Sequence, residues 1–341
     1  MGIGISLSGL ASAVASAGGI GTISAVGVGL IHGTPGKTFR QNNIDAVIQE
    51  IRKARKLTQG VLAVNIMSVL TNFSELVETA IKEKIDIIFS GAGLPLDLPK
   101  YKTKGSKTKL IPIVSSVRAA RIIAKKWLQS FGYVPDAFVV EGPEAGGHLG
   151  FSYEDLDSKR FCLEGLVKDI IPFAKELSIE NKKTVPVIAG GGITNGRQIR
   201  KIMELGASAV QLGSSFIATK ECDASYEFKQ AIITSDKRNI RLIKSPVGLP
   251  GRAVENGFLL AAERGEKRPG ICKYNCIKSC NPKTTDYCIA EALLFAYQGN
   301  FDSGFAFSGA NAHAIKSITT VDEVFKRLIF EYKNASNQIK T

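Results

Sequence analysis

The sequence contains two glycine-rich turns, each directly after a short apolar run: Val187-Ile-Ala-Gly-Gly-Gly-Ile-Thr-Asn-Gly196 and Val210-Gln-Leu-Gly-Ser-Ser-Phe216. Glycine lets backbone amides approach a phosphate group, because no side chain keeps the phosphate away. Consecutive turns of this kind are typical of the last two strand ends of an α/β protein, where the loops bind phosphate. The alternative, that both turns serve only the geometry of the chain, is left open by these residues.

The same order of apolar run, turn and helical stretch repeats toward the N-terminus. The predicted strands are Gly21–Ser24, Val61–Met67, Ile85–Ser90, Leu110–Ser115, Ala137–Glu141, Val185–Ala189 and Ala209–Leu212. The predicted helices between them are Asn43–Leu57, Ser74–Lys84, Ser116–Phe131, Leu163–Leu177 and Gly196–Leu205. Continuously apolar strands that alternate with helices predict a parallel sheet covered by helices.

Polar or glycine residues at the strand ends favour a (β/α)8 TIM barrel over a doubly wound sheet. They are Asn65, Ser90, Ser115, Glu141, Gly190 and Gly213. In a barrel all such ends meet at one mouth, whereas a doubly wound sheet uses mainly its switch point. The chain opens on a loop, residues 1–6, that enters the predicted helix Gly9–Ala17, so we expect the first barrel strand to be missing from this chain.

The strand and helix rhythm changes after the second glycine turn. We expect residues 1–218 to form the barrel and residues 219–341 to form a mainly helical C-terminal cap over its mouth. Within the cap, residues 220–240 have helical character and residues 245–253 form a Pro/Gly loop. Two further helices are predicted at Tyr287–Gln298 and Thr320–Tyr332.

Composition excludes several classes of protein. Hydrophobic residues make up 44% and charged residues 22% of the 341 residues, values that exclude intrinsic disorder. The net charge of +13 is spread over helical segments without interleaved aromatic residues, which argues against nucleic-acid binding and leaves an anionic ligand open. The glycine-rich start lacks the charged region of a signal peptide and is a poor spanning helix, so we expect a cytoplasmic protein without membrane segments.

A third motif, Val140-Glu-Gly-Pro-Glu-Ala-Gly-Gly-His-Leu-Gly150, follows an apolar strand. Its glycines predict a mobile loop at the mouth that carries His148. Of the three histidines, His148 is the best candidate for a general acid or base. The alternative is a merely solvated loop histidine.

The Gly-Gly-His, Gly-Gly-Gly-Ile and Gly-Ser-Ser-Phe motifs together resemble those of the nitronate monooxygenases, formerly called 2-nitropropane dioxygenases. They are also similar to those of the FMN-dependent enoyl-acyl-carrier-protein reductases. The resemblance extends from residue 1 to about residue 265. It implies a barrel that holds FMN without a covalent link and oxidises an alkyl nitronate, with O₂ reacting at the reduced flavin.

The resemblance also implies the roles of individual residues, with His148 as the catalytic histidine. The implied cofactor-binding residues are Met1, Gly2, Asn65, Ser115, Glu141, Gly146, Gly147, Gly190, Gly191, Gly192, Gln211, Gly213 and Ser214. Met1 and Gly2 would contact the flavin ring through the backbone, Asn65 would hydrogen-bond FMN, and the last glycines with Ser214 would cradle the phosphate. Many relatives have Thr-Arg where this chain has Ser214 and Ser215, so a basic side chain is lost.

Four of the six cysteines fall in the segment 272–288, at positions 272, 276, 280 and 288. Such a cluster in a long cytosolic chain favours thiols or a metal over disulfides. The C-x3-C-x3-C spacing matches neither zinc pairs nor a ferredoxin run, so we predict no metal and instead free thiols or a structural cap.

The leading hypothesis is an FMN-dependent nitronate monooxygenase acting on a small anionic nitronate with O₂. The first alternative is an NAD(P)H-dependent enoyl-thioester reductase on the same scaffold. The second is a flavin-binding or thiol-based regulatory protein without turnover. No nucleic-acid or membrane partner is expected, and a homodimer is left open.

Overall fold

The computed structural model describes residues 2–158 and 160–335. Its strands are β1 (Gly21–Ser24), β2 (Leu62–Met67), β3 (Ile87–Gly91), β4 (Lys109–Val114), β5 (Phe138–Glu141), β6 (Gly147–His148), β7 (Val187–Gly190), β8 (Ala209–Gln211), β9 (Ile240–Lys244) and β10 (Pro250–Val254). The helices of the barrel are α1 (Ser8–Ser16), α2 (Phe39–Leu57), α3 (Phe73–Lys82), α4 (Val117–Phe131), α5 (Tyr153–Asp157), α6 (Leu163–Glu180), α7 (Gly196–Glu204) and α8 (Ser214–Ile217). The later helices are α9 (Tyr226–Ile233), α10 (Gly257–Glu263), α11 (Ile289–Tyr297) and α12 (Val321–Asn334).

Seven parallel strands form one curled sheet in the order β1-β2-β3-β4-β5-β7-β8, which confirms the TIM-barrel architecture. Six of these seven strands are followed by an α-helix before the next strand of the sheet or at its end, as the alternation of apolar runs and helical stretches predicts. Only a short 3-10 turn, Leu98–Tyr101, lies between β3 and β4. Among the described residues, β1 and β8 form the two edges of the sheet and share no ladder. The sheet is therefore a barrel with one strand fewer than eight, as expected from the sequence.

Side chains on the inner face of the sheet form a compact apolar layer. Its members are Ala63, Ile87, Phe89, Ile111, Ala137, Val139 and Ile188. Side chains alternate between the two faces of a strand, so residues two positions further along also point inward. This alternation places polar residues above the apolar layer, at the carboxyl ends of the strands.

The region after residue 218 contains a hairpin that the sequence did not reveal. Strands β9 and β10 pair antiparallel, and β10 also pairs with β6, which gives a second sheet of three strands. The prediction of a loop over residues 245–253 is therefore wrong for its second half, and the predicted helical stretch 220–240 is a helix only in α9. The strand is difficult to predict from the sequence because proline is unfavourable inside a strand. Pro250 is tolerated here because it is the first residue of β10.

The C-terminal region and the barrel share one hydrophobic core. Phe258, Tyr287, Leu293 and Phe305 belong to the same buried cluster as the strands and outer helices of the barrel. The predicted boundary at residue 218 thus crosses continuous packing. None of the helices within the described ranges combines the length and apolar character needed to cross a membrane.

Candidate active site

His148 lies in β6 at the mouth of the barrel, where it pairs with Gly251 of β10. Its Nε2 atom is 2.7 Å from Oγ of Ser245, and its ring meets the edge of Phe307 at a centroid distance of 5.0 Å. The sequence predicts a mobile loop here, but pairing with β10 holds the residue in a strand. Local sequence does not reveal this pairing, because the partner strand lies about a hundred residues further along the chain.

Burial lowers the pKa of His148 to about 3. Desolvation disfavours the charged imidazolium, so the side chain is neutral at physiological pH. The Ser245 hydroxyl oxygen accepts the amide of Val247 at 3.3 Å and can donate its own proton to Nε2 of His148. A hydrogen bond of this kind selects the tautomer and the orientation of the ring.

Arg252 of β10 forms hydrogen bonds with the loop that precedes His148. Nη1 of Arg252 donates to the carbonyl oxygens of Pro143 and Ala145, at 2.6 and 2.8 Å. Gly146 lies against the backbone of Ser308, where a Cβ atom would come within 2.5 Å of the carbonyl carbon. The glycine is therefore required by close packing, and the loop is more rigid than its composition predicts.

An apolar cavity adjoins His148. Apart from His148, its side chains come from Ile3, Val26, Phe39, Met67, Leu70, Val247, Cys276, Ile277, Ile289, Ala290 and Leu293. His148 and the thiol of Cys276 are the polar groups of this lining. A site with a few polar groups in an apolar wall is suited to a small ligand that has an alkyl portion.

One wall of the cavity belongs to the cysteine-rich segment, which extends over the mouth and which we call the cover, residues 271–289. The amide of Thr71 donates to the carbonyl of Cys276 at 3.1 Å, and its hydroxyl donates to the carbonyl of Asn275 at 2.6 Å. The amide of Lys278 donates to the carbonyl of Val69 at 2.9 Å. These backbone contacts attach the cover to the loop after β2.

The two glycine turns form a separate group at the ends of β7 and β8. Gly191 and Gly192 have φ angles of +111° and +79°, a region that favours glycine. Ser214 begins α8, where the first amides of a helix have no partner within the helix. The buried hydroxyl of Ser215 has no hydrogen-bond partner among the described residues. An unpaired hydroxyl beside glycine-rich backbone is suited to an anionic group.

Residues from the C-terminal region support this group. The amide of Gly309 donates to Oγ of Ser214 at 3.0 Å, and Nδ2 of Asn311 donates to the carbonyl of Gly192 at 2.7 Å. No local pattern in the sequence indicates either contact, because both residues lie about a hundred positions or more from their partners.

Most of the predicted strand-end residues line the inner face above the apolar layer, whereas Ser90 follows inward-facing Phe89 and lies on the opposite face of β3. Glu141, Gly190 and Gln211 lie side by side in the register of β5, β7 and β8. Asn65 lies two residues beyond inward-facing Ala63, and Ser115 follows β4 next to Gly150. Burial raises the pKa of Glu141 to about 7, so this carboxyl group is partly protonated near neutral pH.

The remaining predicted cofactor-binding residues lie at three places in the chain. Gly2 is buried in the N-terminal loop, whereas Met1 lies outside the described residues. Gly147 belongs to β6 beside His148, and Gly213 precedes α8. The sequence did not reveal Ser245, Arg252, Phe307 or the cover residues as parts of the site.

The model of the nitronate monooxygenase family matches residues 62–331, which include the histidine, both glycine turns and most of the C-terminal region. The chain belongs to the nitronate monooxygenase family. Curated relatives include a probable nitronate monooxygenase of Staphylococcus aureus strain Newman, 28% identical over 217 residues. That match covers 64% of this chain and 56% of the relative, so the chain spans about half the length of the curated relatives it matches. A probable nitronate monooxygenase of Staphylococcus haemolyticus is 31% identical with the same coverage.

Solved structures share the fold. The structure of FabK from Thermotoga maritima matches with a TM-score of 0.74 and 27% identity, covering 98% of this chain and 92% of that one. Nitroalkane oxidase from Streptomyces ansochromogenes matches with a TM-score of 0.75 and 21% identity over 100% of this chain and 96% of its own, which shows the fold alone.

Proposed function

We propose that this chain is an FMN-dependent oxidoreductase that oxidises alkyl nitronates with O₂ as electron acceptor. The observation that carries the proposal is the position of His148, a neutral imidazole in the wall of an apolar cavity. Family membership supports the flavin chemistry, and the two glycine turns with the unpaired hydroxyl of Ser215 support the nucleotide. Bound FMN would supply the acceptor for electrons from the substrate.

The residues at the strand ends fit a phosphate-bearing flavin. Gly191, Gly192, Gly213 and Ser214 would hold the phosphate, and the orphan hydroxyl of Ser215 gives a further donor where many relatives carry arginine. The inward-facing strand ends would hold the rest of the cofactor through Asn65, Ser115, Glu141, Gly190 and Gln211. The backbone of Gly2 and of Gly146 and Gly147 would lie beside the ring.

His148 would orient the substrate and exchange a proton with it. A neutral imidazole donates one hydrogen bond and accepts another, and Ser245 occupies Nε2. With Ser245 donating to Nε2, Nδ1 would carry the ring proton and donate it to a bound anion. A bound nitronate anion would raise the pKa of His148 and favour proton uptake, while the apolar wall would hold the alkyl group.

A second candidate is an NAD(P)H-dependent enoyl-thioester reductase. The similarity to FabK over 98% of this chain favours it. Both candidates use the same cofactor position and the same histidine. They differ in the molecule that delivers electrons.

An anaerobic mixing experiment tests the proposal. The protein is reconstituted with FMN, freed of excess cofactor, and mixed with propionate-3-nitronate or with NADH while the visible flavin band is recorded. We expect the nitronate alone to bleach the band. Bleaching by NADH alone would favour the reductase, and failure to retain flavin after reconstitution would contradict both.

A further inference from the structure

Ile277 is the part of the cavity wall that the irregular segment of the cover supplies with an aliphatic side chain. It is 5% exposed and lines the cavity together with His148. The cover also contributes Cys276 and Ile289 to this wall, but Ile289 is the first residue of α11. The proposed oxidation chemistry gives Ile277 no role. A buried aliphatic side chain at this position limits the space beside the imidazole, because packed side chains leave little room between them.

The backbone around Ile277 is attached to the loop after β2. Ile277 forms an isolated antiparallel bridge with Leu70, another residue of the cavity wall. The amides of Thr71 and Lys278 donate across the same junction to carbonyl oxygens of the facing segment, at 3.1 and 2.9 Å. Backbone hydrogen bonds do not require a particular side chain. A substitution at position 277 therefore changes the wall and leaves this attachment in place.

A second attachment connects the cover to the partner of His148. Oγ of Ser279 donates to the carbonyl of Val247 at 2.8 Å. The amide of Val247 donates to Oγ of Ser245, the hydroxyl that contacts Nε2 of His148. Hydrogen bonds thus hold the segment that carries Ile277 on both sides, at the loop after β2 and at the loop that orients the imidazole.

We propose that Ile277 determines the length of the alkyl group that the cavity accepts, so that the protein prefers short alkyl nitronates. This inference rests on the proposed function and narrows its substrate class. The nitronate group contacts His148, and the alkyl group lies along the apolar wall toward the cover. Each methylene that the wall buries raises the affinity roughly fourfold. A methylene too many must displace Ile277, which its attachments resist, and lowers kcat/KM by roughly tenfold or more.

A series of ligands of increasing length tests the proposal on the FMN-reconstituted protein. Uncharged primary nitroalkanes, from nitroethane to nitrohexane, are titrated by calorimetry. The value of kcat/KM is then measured for the nitronates of the same compounds. We expect both the association constant and kcat/KM to rise with chain length, pass through a maximum and then fall, because the cavity ends at the cover.

Substitutions at position 277 should move this maximum. Ile277→Ala removes most of the side chain, so the maximum should move by about two methylenes toward longer chains. The ratio of kcat/KM for the hexyl nitronate to that for the ethyl nitronate should rise roughly tenfold or more. Ile277→Val removes a single methylene and should move the maximum by about one, which keeps the test available if the alanine variant is unstable.

The matched control is Ile271→Ala. Ile271 also belongs to the cover, but it is 78% exposed and lies outside the cavity lining, so its substitution should leave the maximum unchanged. An unmoved maximum in both variants of Ile277 would overturn the proposal. So would an equal shift in Ile271→Ala, or failure of every nitroalkane to bind. Absence of turnover with every nitronate would instead contradict the proposed function, while the nitroalkane titrations, which need no turnover, would still decide the role of Ile277.

Discussion

At the scale of single residues, burial decides the chemistry of the mouth. His148 and Glu141 both lie where water is largely excluded, and both are shifted toward their neutral forms. The carboxyl group of Glu141, which titrates near pH 7, is suited to proton transfer at physiological pH. The imidazole of His148 is neutral there and is suited to hydrogen bonding with a ligand.

Replacing His148 with alanine tests its part in turnover. His148→Ala should retain FMN, because the imidazole faces the apolar cavity, yet lower kcat by roughly two to four orders of magnitude. Flavin content by absorbance and steady-state rates with a nitronate measure the two effects. His313→Ala, which changes a histidine outside the cavity lining, is the control. A variant of His148 with an unchanged rate would remove this residue from the mechanism.

The ionisation of Glu141 predicts a pH-dependent difference in stability. Its pKa is raised from 4.5 to about 7 in the folded protein, so folding is favoured while the group is protonated and loses that contribution as pH rises toward 7. Glu141→Gln should therefore be more stable than the original protein at pH 8, by about 2 to 3 kcal/mol, and similar near pH 4.5. Urea unfolding of the flavin-free proteins at both pH values gives the difference. If the unfolding free energies of the two proteins changed with pH in the same way, the pKa of Glu141 would not be raised in the folded protein.

At the scale of elements, α1 depends on a distant carboxylate. No side chain of its own N-cap closes its first turn, and Asp223 instead accepts the amides of Leu7, Gly9 and Leu10 at 2.7, 3.1 and 3.0 Å. The periodicity of the sequence predicts the helix. Glu50 accepts the amide of Ser8 at 2.7 Å, so the two acceptors lie 42 and more than two hundred positions away, beyond the reach of any local pattern.

Removing this carboxylate should weaken the N-terminal helix. Asp223→Ala leaves three partly buried amides without this acceptor, so we expect a loss of about 2 to 4 kcal/mol in the free energy of unfolding. Chemical denaturation measures the loss. Asp236→Ala, whose carboxylate is exposed and pairs with nearby Arg238, should change stability by less than about 1 kcal/mol. Equal losses for both variants would contradict this role for Asp223.

At the scale of the whole molecule, the C-terminal region and the barrel form one packing unit. Phe305 is fully buried and contacts the rings of Phe258, Tyr287 and Phe307, the last of which touches His148. A chain of aromatic contacts thus connects the C-terminal region to the proposed catalytic side chain. Such a connection predicts that both regions unfold together.

Phe305→Ala tests this cooperativity. Deletion of a fully buried aromatic ring should cost about 3 to 5 kcal/mol and lower one common thermal transition. Fluorescence of Trp127, the single tryptophan in the barrel, and far-UV circular dichroism should report the same midpoint. Two separate transitions, with only one shifted, would show that the boundary at residue 218 separates independent domains.

The sequence by itself determined the barrel. Apolar residues recur with the period of a helix or form the short runs of a buried strand, and both patterns can be read from the sequence. The predicted strands of the barrel therefore agree with the observed ones to within two residues at either end. The glycine turns and His148 were recognisable for the same reason, because each lies directly after an apolar strand.

Only the tertiary structure decided what surrounds these residues. Three features of the site join positions that are far apart in the chain. They are the contact of Ser245 with His148, the hydrogen bonds from Arg252 to the loop before His148, and the cover over the cavity. Antiparallel pairing of β6 with β10 turned a predicted mobile loop into a strand. Long-range pairing leaves no periodic pattern near either partner, because its energy comes from burial and hydrogen bonds that exist only after the chain has folded.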